Sequence, residues 1–405
     1  MKIQFVSYSD LEGGAARAQH TLGKYINQGG DAVTLNALKV KTDEEWVIKN
    51  HSFFLKVYSY LSPFLNKILL PGVKKQHLEK WSSFLVLYSP FKIDKIFESK
   101  LHLHWVAGGM LSFFALAKKN KKIFITLHDA WFYTAGCHIN YKCENYLSAC
   151  NNCPQAGDKL GNVVVKLNYW LKKNFLKKTN PVVIAPSSFI YNQAKNSSML
   201  KNHQIILVPN IVDLQVYKPL EKKNVRKILG LNENDFYIIF VGKDFRRDQL
   251  KGYKRFVEIA NKLYDANIRD IRCLIVGSSN AEEIKLDSKC YGNAEDQNTM
   301  NLLYSASDLM VNTSYFESFG LTALESIASG TPVVGFDSGG TRDIVKNGIS
   351  GYLGADIQAI VDKILALYKN SKELKSLSAS CITYANKKFS PTMVAKKMIK
   401  IYGSN

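Results

Sequence analysis

The sequence is short of acids: 34 Asp and Glu stand against 54 Lys and Arg, for a formal net charge of +20 over 405 residues. So large an excess of one sign calls for an anionic partner, whether nucleic acid, an acidic membrane or a phosphate-bearing small molecule. The chain has no Arg-rich tail, no zinc-finger spacing and no aromatic RNA-binding signature, so no nucleic acid is expected. No run reaches the roughly eighteen apolar residues of a spanning helix, and the N-terminus enters Lys2-Ile-Gln-Phe-Val without a secretory cleavage pattern. A cytosolic chain is expected. The seven cysteines then argue against a disulfide framework. The dinucleotide fingerprint G-x-G-x-x-G is also missing.

What is present reads as α/β. The length suits two domains. Lys2–Tyr8 and Asp31–Leu38 are apolar strand-like runs around a helical stretch, a βαβ opening, with Gly13-Gly14 and Arg17 at the first strand-to-helix turn. His102-Leu-His104-Trp105 and Lys122–Asp129 (K-I-F-I-T-L-H-D) look like later strands ending in polar residues. Val208-Pro-Asn-Ile-Val-Asp213 closes the first half, and a polar, Lys-rich stretch, 214–235, reads as a connection. Phe236–Gly242 opens the second half, followed by Lys243, Arg246, Arg247 and Lys251, a cationic group suited to a diphosphate.

The densest stretch is Tyr315–Gly340. Asp308–Thr313 and Pro332–Phe336 are strand-like, and Phe319–Ser329 between them is helical, closed by Gly330. The loop at Glu317 therefore falls at a strand's carboxyl end, where open α/β sheets bind ligands. Phe319, Gly320 and Leu321 offer backbone N–H groups at a helix N-terminus, which favours phosphate oxygens. Glu317 and Glu325 carry carboxylates that can each accept paired sugar hydroxyls.

The run E-S-F-G-L-T-A-L-E-S-I-A-S-G-T-P-V-V resembles the signature of glycosyltransferase family 4. The resemblance implies a GT-B fold, two doubly wound Rossmann-like domains facing across a cleft: an acceptor domain over 1–210, with 390–405 packing back on it, and a nucleotide-sugar domain over 211–389. It implies a retaining glycosyltransferase, with a UDP- or GDP-sugar donor and a saccharide or lipid-linked acceptor, in polysaccharide, lipopolysaccharide or capsule biosynthesis. Glu317 would contact the donor sugar and Glu325 the ribose; Lys251, in a K-G pair, would neutralise the diphosphate together with Lys243 or Arg247. Lys243 stands where the family has Arg, and Asp343 in G-G-T-R-D stands where it has Glu. Gly14 falls on the donor side; Arg17, His104 and Asp129 fall on the acceptor side, with His128 under the sugar. No cofactor is required for catalysis in this scheme. A nucleotide-sugar epimerase of the same fold and a non-catalytic sugar- or polyanion-binding module are the alternatives.

Two further features stand outside that scheme. Cys137, Cys143, Cys150 and Cys153 cluster within one loop, the last pair as C-x-x-C; a structural zinc and free or redox-active thiols both fit. Phe53–Leu78 and Val163–Lys178 alternate aromatic or aliphatic positions with lysines at helical spacing, Leu167, Trp170, Leu171 and Phe175 forming one face and Lys166, Lys172, Lys173, Lys177 and Lys178 lying elsewhere. Such segments are either core helices with solvated lysines or elements that lie on an anionic membrane. The second reading makes the protein peripheral on the inner face of the cytoplasmic membrane.

Overall fold

A computed structural model of the chain describes residues 1–48, 53–73, 81–85, 100–107, 110–118, 122–140, 142–294 and 296–404. It divides into two compact units, Met1–Asn210 with Thr392–Asn405, and Ile211–Pro391.

In the first unit the elements are β1 (Lys2–Ser9), α1 (Gly14–Gln28), β2 (Ala32–Lys39), β3 (Val47–Ile48), α2 (Phe53–Ile68), β4 (Lys100–Leu103), α3 (Phe113–Ala117), β5 (Ile123–Thr126), α4 (Lys159–Thr179), β6 (Val182–Ala185), α5 (Ser188–Asn196) and β7 (Ile205–Leu207). The strands form one parallel sheet in the order β3-β2-β1-β4-β5-β6-β7. β5 and β6 are buried throughout, as the continuous apolar runs Ile-Phe-Ile-Thr and Val-Val-Ile-Ala require of strands covered on both faces. The Asp158 carboxylate caps α4 by accepting from Gly161 N, and Ser187 caps α5 through Ile190 N.

The second unit runs α6 (Lys222–Ile228), β8 (Phe236–Val241), α7 (Tyr253–Asp265), β9 (Ile271–Val276), β10 (Ser288–Cys290), α8 (Gln297–Ala306), β11 (Leu309–Asn312), α9 (Leu321–Ala328), β12 (Val333–Phe336), β13 (Gly351–Gly354), α10 (Ile357–Lys369) and α11 (Ser371–Lys388). Its parallel sheet has the order β10-β9-β8-β11-β12-β13. The last helix, α12 (Pro391–Gly403), sends Tyr402 into the first unit, where its hydroxyl meets His102 Nδ1 at 2.6 Å.

Each sheet reverses its direction of winding once, between β1 and β4 in the first unit and between β8 and β11 in the second. Two expectations change in detail. The stretch 214–235 is not a bare connection: it holds α6, capped by Glu221, with Arg226 buried against Asp308 (2.7 Å) and the carbonyls of Ala306 and Glu233. The helix expected from Phe319 begins at Leu321, because Gly320 takes the left-handed conformation at its cap.

Candidate active site

In the second unit the loop after β8 and the loop after β11 come together. The Lys251 ammonium donates to Glu317 Oε1 at 3.0 Å, and the Ser314 hydroxyl donates to the same oxygen at 2.9 Å. Both charged side chains keep part of their surface open, 29% for Lys251 and 16% for Glu317, so a ligand can reach them. Their backbones are fixed independently. Glu317 N donates to Ser338 O (2.7 Å) and Gly340 N to Glu317 O (2.8 Å), tying the loop to the turn after β12. A Cβ at Gly340 would lie 2.4 Å from Ser318 O, and one at Gly252 would lie 2.0 Å from Thr313 O, so only glycine lets these loops touch. Gly252 also has φ +68°.

The neighbouring N-terminus of α9 carries no side-chain cap, leaving the backbone N–H donors of its first turn as an anion-favouring end. Phe319 itself is buried, packing against Phe389, so it can offer backbone only. Glu325 is 2% exposed, and its Oε2 accepts from the Tyr304 hydroxyl at 3.1 Å. Of the four cations expected to converge, Lys251 reaches Glu317, Lys243 and Arg247 are exposed in the β8–α7 loop, and Arg246 turns to Glu283 (2.8 Å) and Asn280. Sequence reasoning missed Arg255 and Ser314. Arg255 lies 3.7 Å from the Tyr315 ring centre and 4.4 Å from that of Phe336, bracing the Glu317 loop from α7.

The first unit assembles a different chemistry at its own reversal point. Gly14 starts α1, exposed, behind Gly13 at φ +89°, and Arg17 is half-buried one turn on. The turn is held by the fully buried Asp10, whose carboxylate accepts from Leu11, Lys41 and Thr42 N. His104 and His128 are joined at 3.0 Å, and His102 links Tyr402 to the Thr126 hydroxyl. Burial pushes all three imidazoles down, His102 to about 3 with help from His128, His104 well below its ordinary value, and His128 to about 4 against the opposing pull of Asp129. At neutral pH they are therefore uncharged. Asp129 is saturated rather than open: Oδ2 accepts from Trp105 Nε1 (2.7 Å) and His138 Nδ1 (2.6 Å), and Oδ1 from Trp131 N (2.8 Å). Burial raises its pKa, but the His138 charge and these hydrogen bonds outweigh that and hold the carboxyl below its usual range. His138, which also meets the Ser82 hydroxyl at 2.8 Å, was not legible as part of this network.

Lys172 changes the reading of the lysine-bearing helices. It is fully buried in α4, with Nζ donating to the carbonyls of Trp131 (2.5 Å), Thr134 (3.0 Å) and Ala135 (3.3 Å). Burial lowers its pKa to about 7, with Cys150 and Cys137 acting in the opposite direction. It cannot be a surface lysine. Leu171 and Phe175 are likewise buried, whereas Leu167 and Trp170 are exposed, so the four residues split between two faces of α4. In α2, which runs through Pro63 without a break, Val57, Tyr60, Leu61, Phe64 and Ile68 are exposed; Lys74, Lys75 and Leu78 lie outside the described residues. Among the described residues no helix is long and apolar enough to cross a membrane.

Residues 221–388 match the family model described as glycosyl transferases group 1. The chain is 30% identical over 213 residues to the D-inositol 3-phosphate glycosyltransferase of Geodermatophilus obscurus, the match covering 46% of this chain and 47% of that protein. It thus spans about half the length of the first curated relatives it matches. It is 25% identical over 341 residues to an uncharacterized 41.2 kDa protein in the cps region of Klebsiella pneumoniae, covering 80% and 83%. Among solved structures, sucrose-phosphate synthase from Thermosynechococcus elongatus superposes with a TM-score of 0.70 at 19% identity, covering 100% of this chain and 98% of that one. Anabaena HepE in complex with UDP-glucose gives 0.63 at 15% identity, covering 100% of both chains. These likenesses show the fold: the chain is a GT-B protein with two parallel-sheet, Rossmann-like domains, as the sequence led one to expect.

Proposed function

We propose that the protein is a retaining glycosyltransferase that moves a sugar from a nucleoside-diphosphate sugar, carried on UDP or GDP, to a hydroxyl of a saccharide or lipid-linked acceptor during polysaccharide, lipopolysaccharide or capsule assembly. The observation that carries the reading is the Lys251–Glu317 pair at the winding reversal of the second unit, within the residues that match the group 1 model. A diphosphate leaving group develops negative charge, and Lys251, the exposed Lys243 and Arg247, and the N–H groups of Phe319, Gly320 and Leu321 are the groups that neutralise it. In this role Lys251 is shared between Glu317 and phosphate, which leaves the Glu317 carboxylate to accept from sugar hydroxyls. Glu325, held by Tyr304, is the ribose partner. The scheme gives the charge neutralisation to these cations and calls for no Mg²⁺.

His128 enters as a neutral imidazole beneath the sugar, positioned by His104; Asp129 fixes the surrounding loop, and Gly14 and Arg17 serve the remaining donor and acceptor contacts. The capsule-region likeness supports an envelope saccharide as acceptor. The exposed face of α4 extends the reading to an anionic membrane surface. Leu160, Val163, Leu167 and Trp170 recur at helical spacing, with Lys159, Lys166, Lys173, Lys177 and Lys178 exposed around them. Each such lysine near an anionic surface contributes about 1 kcal/mol.

The test is turnover with a panel of UDP- and GDP-sugars, with and without saccharide acceptors. Release of nucleoside diphosphate that depends on acceptor is the expected result. Interconversion of the donor sugar without transfer would replace this reading by an epimerase, and binding without turnover by a sugar-binding module.

A further inference from the structure

The loop between β5 and α4 is long for a compact domain. Between Tyr133 and Lys159 the only regular element among the described residues is one 3-10 turn, Asn145–Leu147, whereas structureless loops beyond about 12–15 residues usually need a binding role or a staple to hold them. All four of its cysteines, together with Asn140 and Tyr146, line a single small cavity of about 10 Å³. That is room for one water-sized sphere, enough for an ion and too small for an organic ligand. Cys137, Cys150 and Cys153 are buried and Cys143 is half-buried. Cys137 and Cys153 are already within hydrogen-bonding reach of each other, and the Ala135 N–H donates to Cys150.

The second observation is Lys172. A buried ammonium is costly unless an opposite charge compensates it. Its three N–H donors go to the carbonyls of Trp131, Thr134 and Ala135, which carry no net charge. The acidic groups that act on it most strongly are Cys150 and Cys137, ahead of Asp129. Ala135 ties Lys172 to this cluster, its carbonyl accepting from Lys172 Nζ and its N–H donating to Cys150. Four thiolates around a divalent ion carry a net charge of −2, and a protonated Lys172 would offset half of it.

We propose that Cys137, Cys143, Cys150 and Cys153 bind one Zn²⁺ as a structural tetrathiolate, with Lys172 as its buried counter-charge. The inference does not depend on the glycosyltransferase reading. As the side chains stand, no three or more His, Cys, Asp or Glu among the described residues are arranged to hold a metal, so binding must draw the thiols together. Each thiol loses its proton to solvent on binding, and the metal–sulfur bonds then close the loop on itself.

The experiment uses the full chain, purified without added metal. Elemental analysis is expected to give about one zinc per chain, and exchange to Co²⁺ the visible absorption of a tetrahedral thiolate site. Cys150→Ser with Cys153→Ser should lose the metal; if that variant fails to fold, the wild-type metal content decides. Lys172→Met should release zinc to a chelator about tenfold faster or more, in line with the loss of an outer-shell partner. Less than half an equivalent of metal in protein with four free thiols would overturn the site, as would a mass deficit of two or four protons showing disulfides. An unchanged release rate in Lys172→Met would overturn the counter-charge.

Discussion

The two units share one architecture, a parallel sheet that reverses its winding midway, yet they place opposite chemistry at the reversal. In the second unit it is a partly open ion pair, Lys251 and Glu317, on loops with exposed Lys243 and Arg247. In the first it is a neutral pair, buried His104 and half-buried His128, with a saturated carboxylate at Asp129. The first arrangement meets charge, as a nucleoside diphosphate demands; the second suits hydroxyls, where a fixed uncharged imidazole can orient a group without repelling a cation. Each site owes its character to burial more than to residue type. Lysine shows this directly, since Lys251 is solvent-accessible on a loop and Lys172 is enclosed in the core.

If the charged site carries the donor, it should be the more sensitive to loss of a single group. Glu317→Gln and Lys251→Ala are each expected to lower kcat at least about 100-fold, the size of effect seen when one group that stabilises transition-state charge is removed, with unchanged circular dichroism. Unaltered turnover in both variants would remove the second unit from the chemistry. Next in size, Gly252→Ala forces a Cβ against Thr313 O at a positive φ and should cost about 2 kcal/mol or more of stability, read as a fall in Tm.

The neutral site should announce itself through pH. His102, His104 and His128 all titrate lower in the fold than the 6.5 of a free imidazole, so below that pH the unfolded chain takes up protons that the folded chain refuses. Stability is therefore full above about pH 6.5 and declines toward pH 4, where His128 itself begins to protonate, by up to about 1.4 kcal/mol per pH unit per group. His128→Asn should flatten that decline in a series of thermal melts; the same slope in the variant would mean that the ring is not held neutral. The smallest effect is expected at the surface of α4. Trp170→Ala or Lys173→Glu with Lys177→Glu should lower sedimentation with anionic liposomes a few-fold at low salt, and recovery that ignores both salt and lipid charge would leave this helix as an ordinary solvated face.

The comparison also explains what could be read from the chain alone. In the second unit the loop, helix and strand that form the site are contiguous from Tyr315 to Gly340, so local spacing was enough to place Glu317 at the end of β11 and Gly320 at the head of α9. The strands of both sheets were legible because apolar runs bounded by polar ends mark them, whereas their double winding was expected from the family resemblance. In the first unit the network joins Ser82, Trp105, Asp129 and His138, which are brought together only by tertiary packing. Periodicity failed at α4 because Lys172 occupies a helix position next to Leu171, and nothing in the spacing distinguishes an enclosed ammonium from a solvated one; three carbonyls from the β5–α4 loop make the difference. Arg255 was missed because its partners, Tyr315 and Phe336, lie far along the chain.

Binding of a nucleoside diphosphate by the second unit's charged loops is measured by thermal shift with UDP and GDP on the wild type, Lys251→Ala and His128→Asn. A nucleotide at a hundred times its dissociation constant should stabilise the wild type by about 2.7 kcal/mol. This shift is expected for one of the two nucleotides, retained in His128→Asn and lost in Lys251→Ala. No shift with either nucleotide in the wild type, or an equal shift in Lys251→Ala, would contradict that binding.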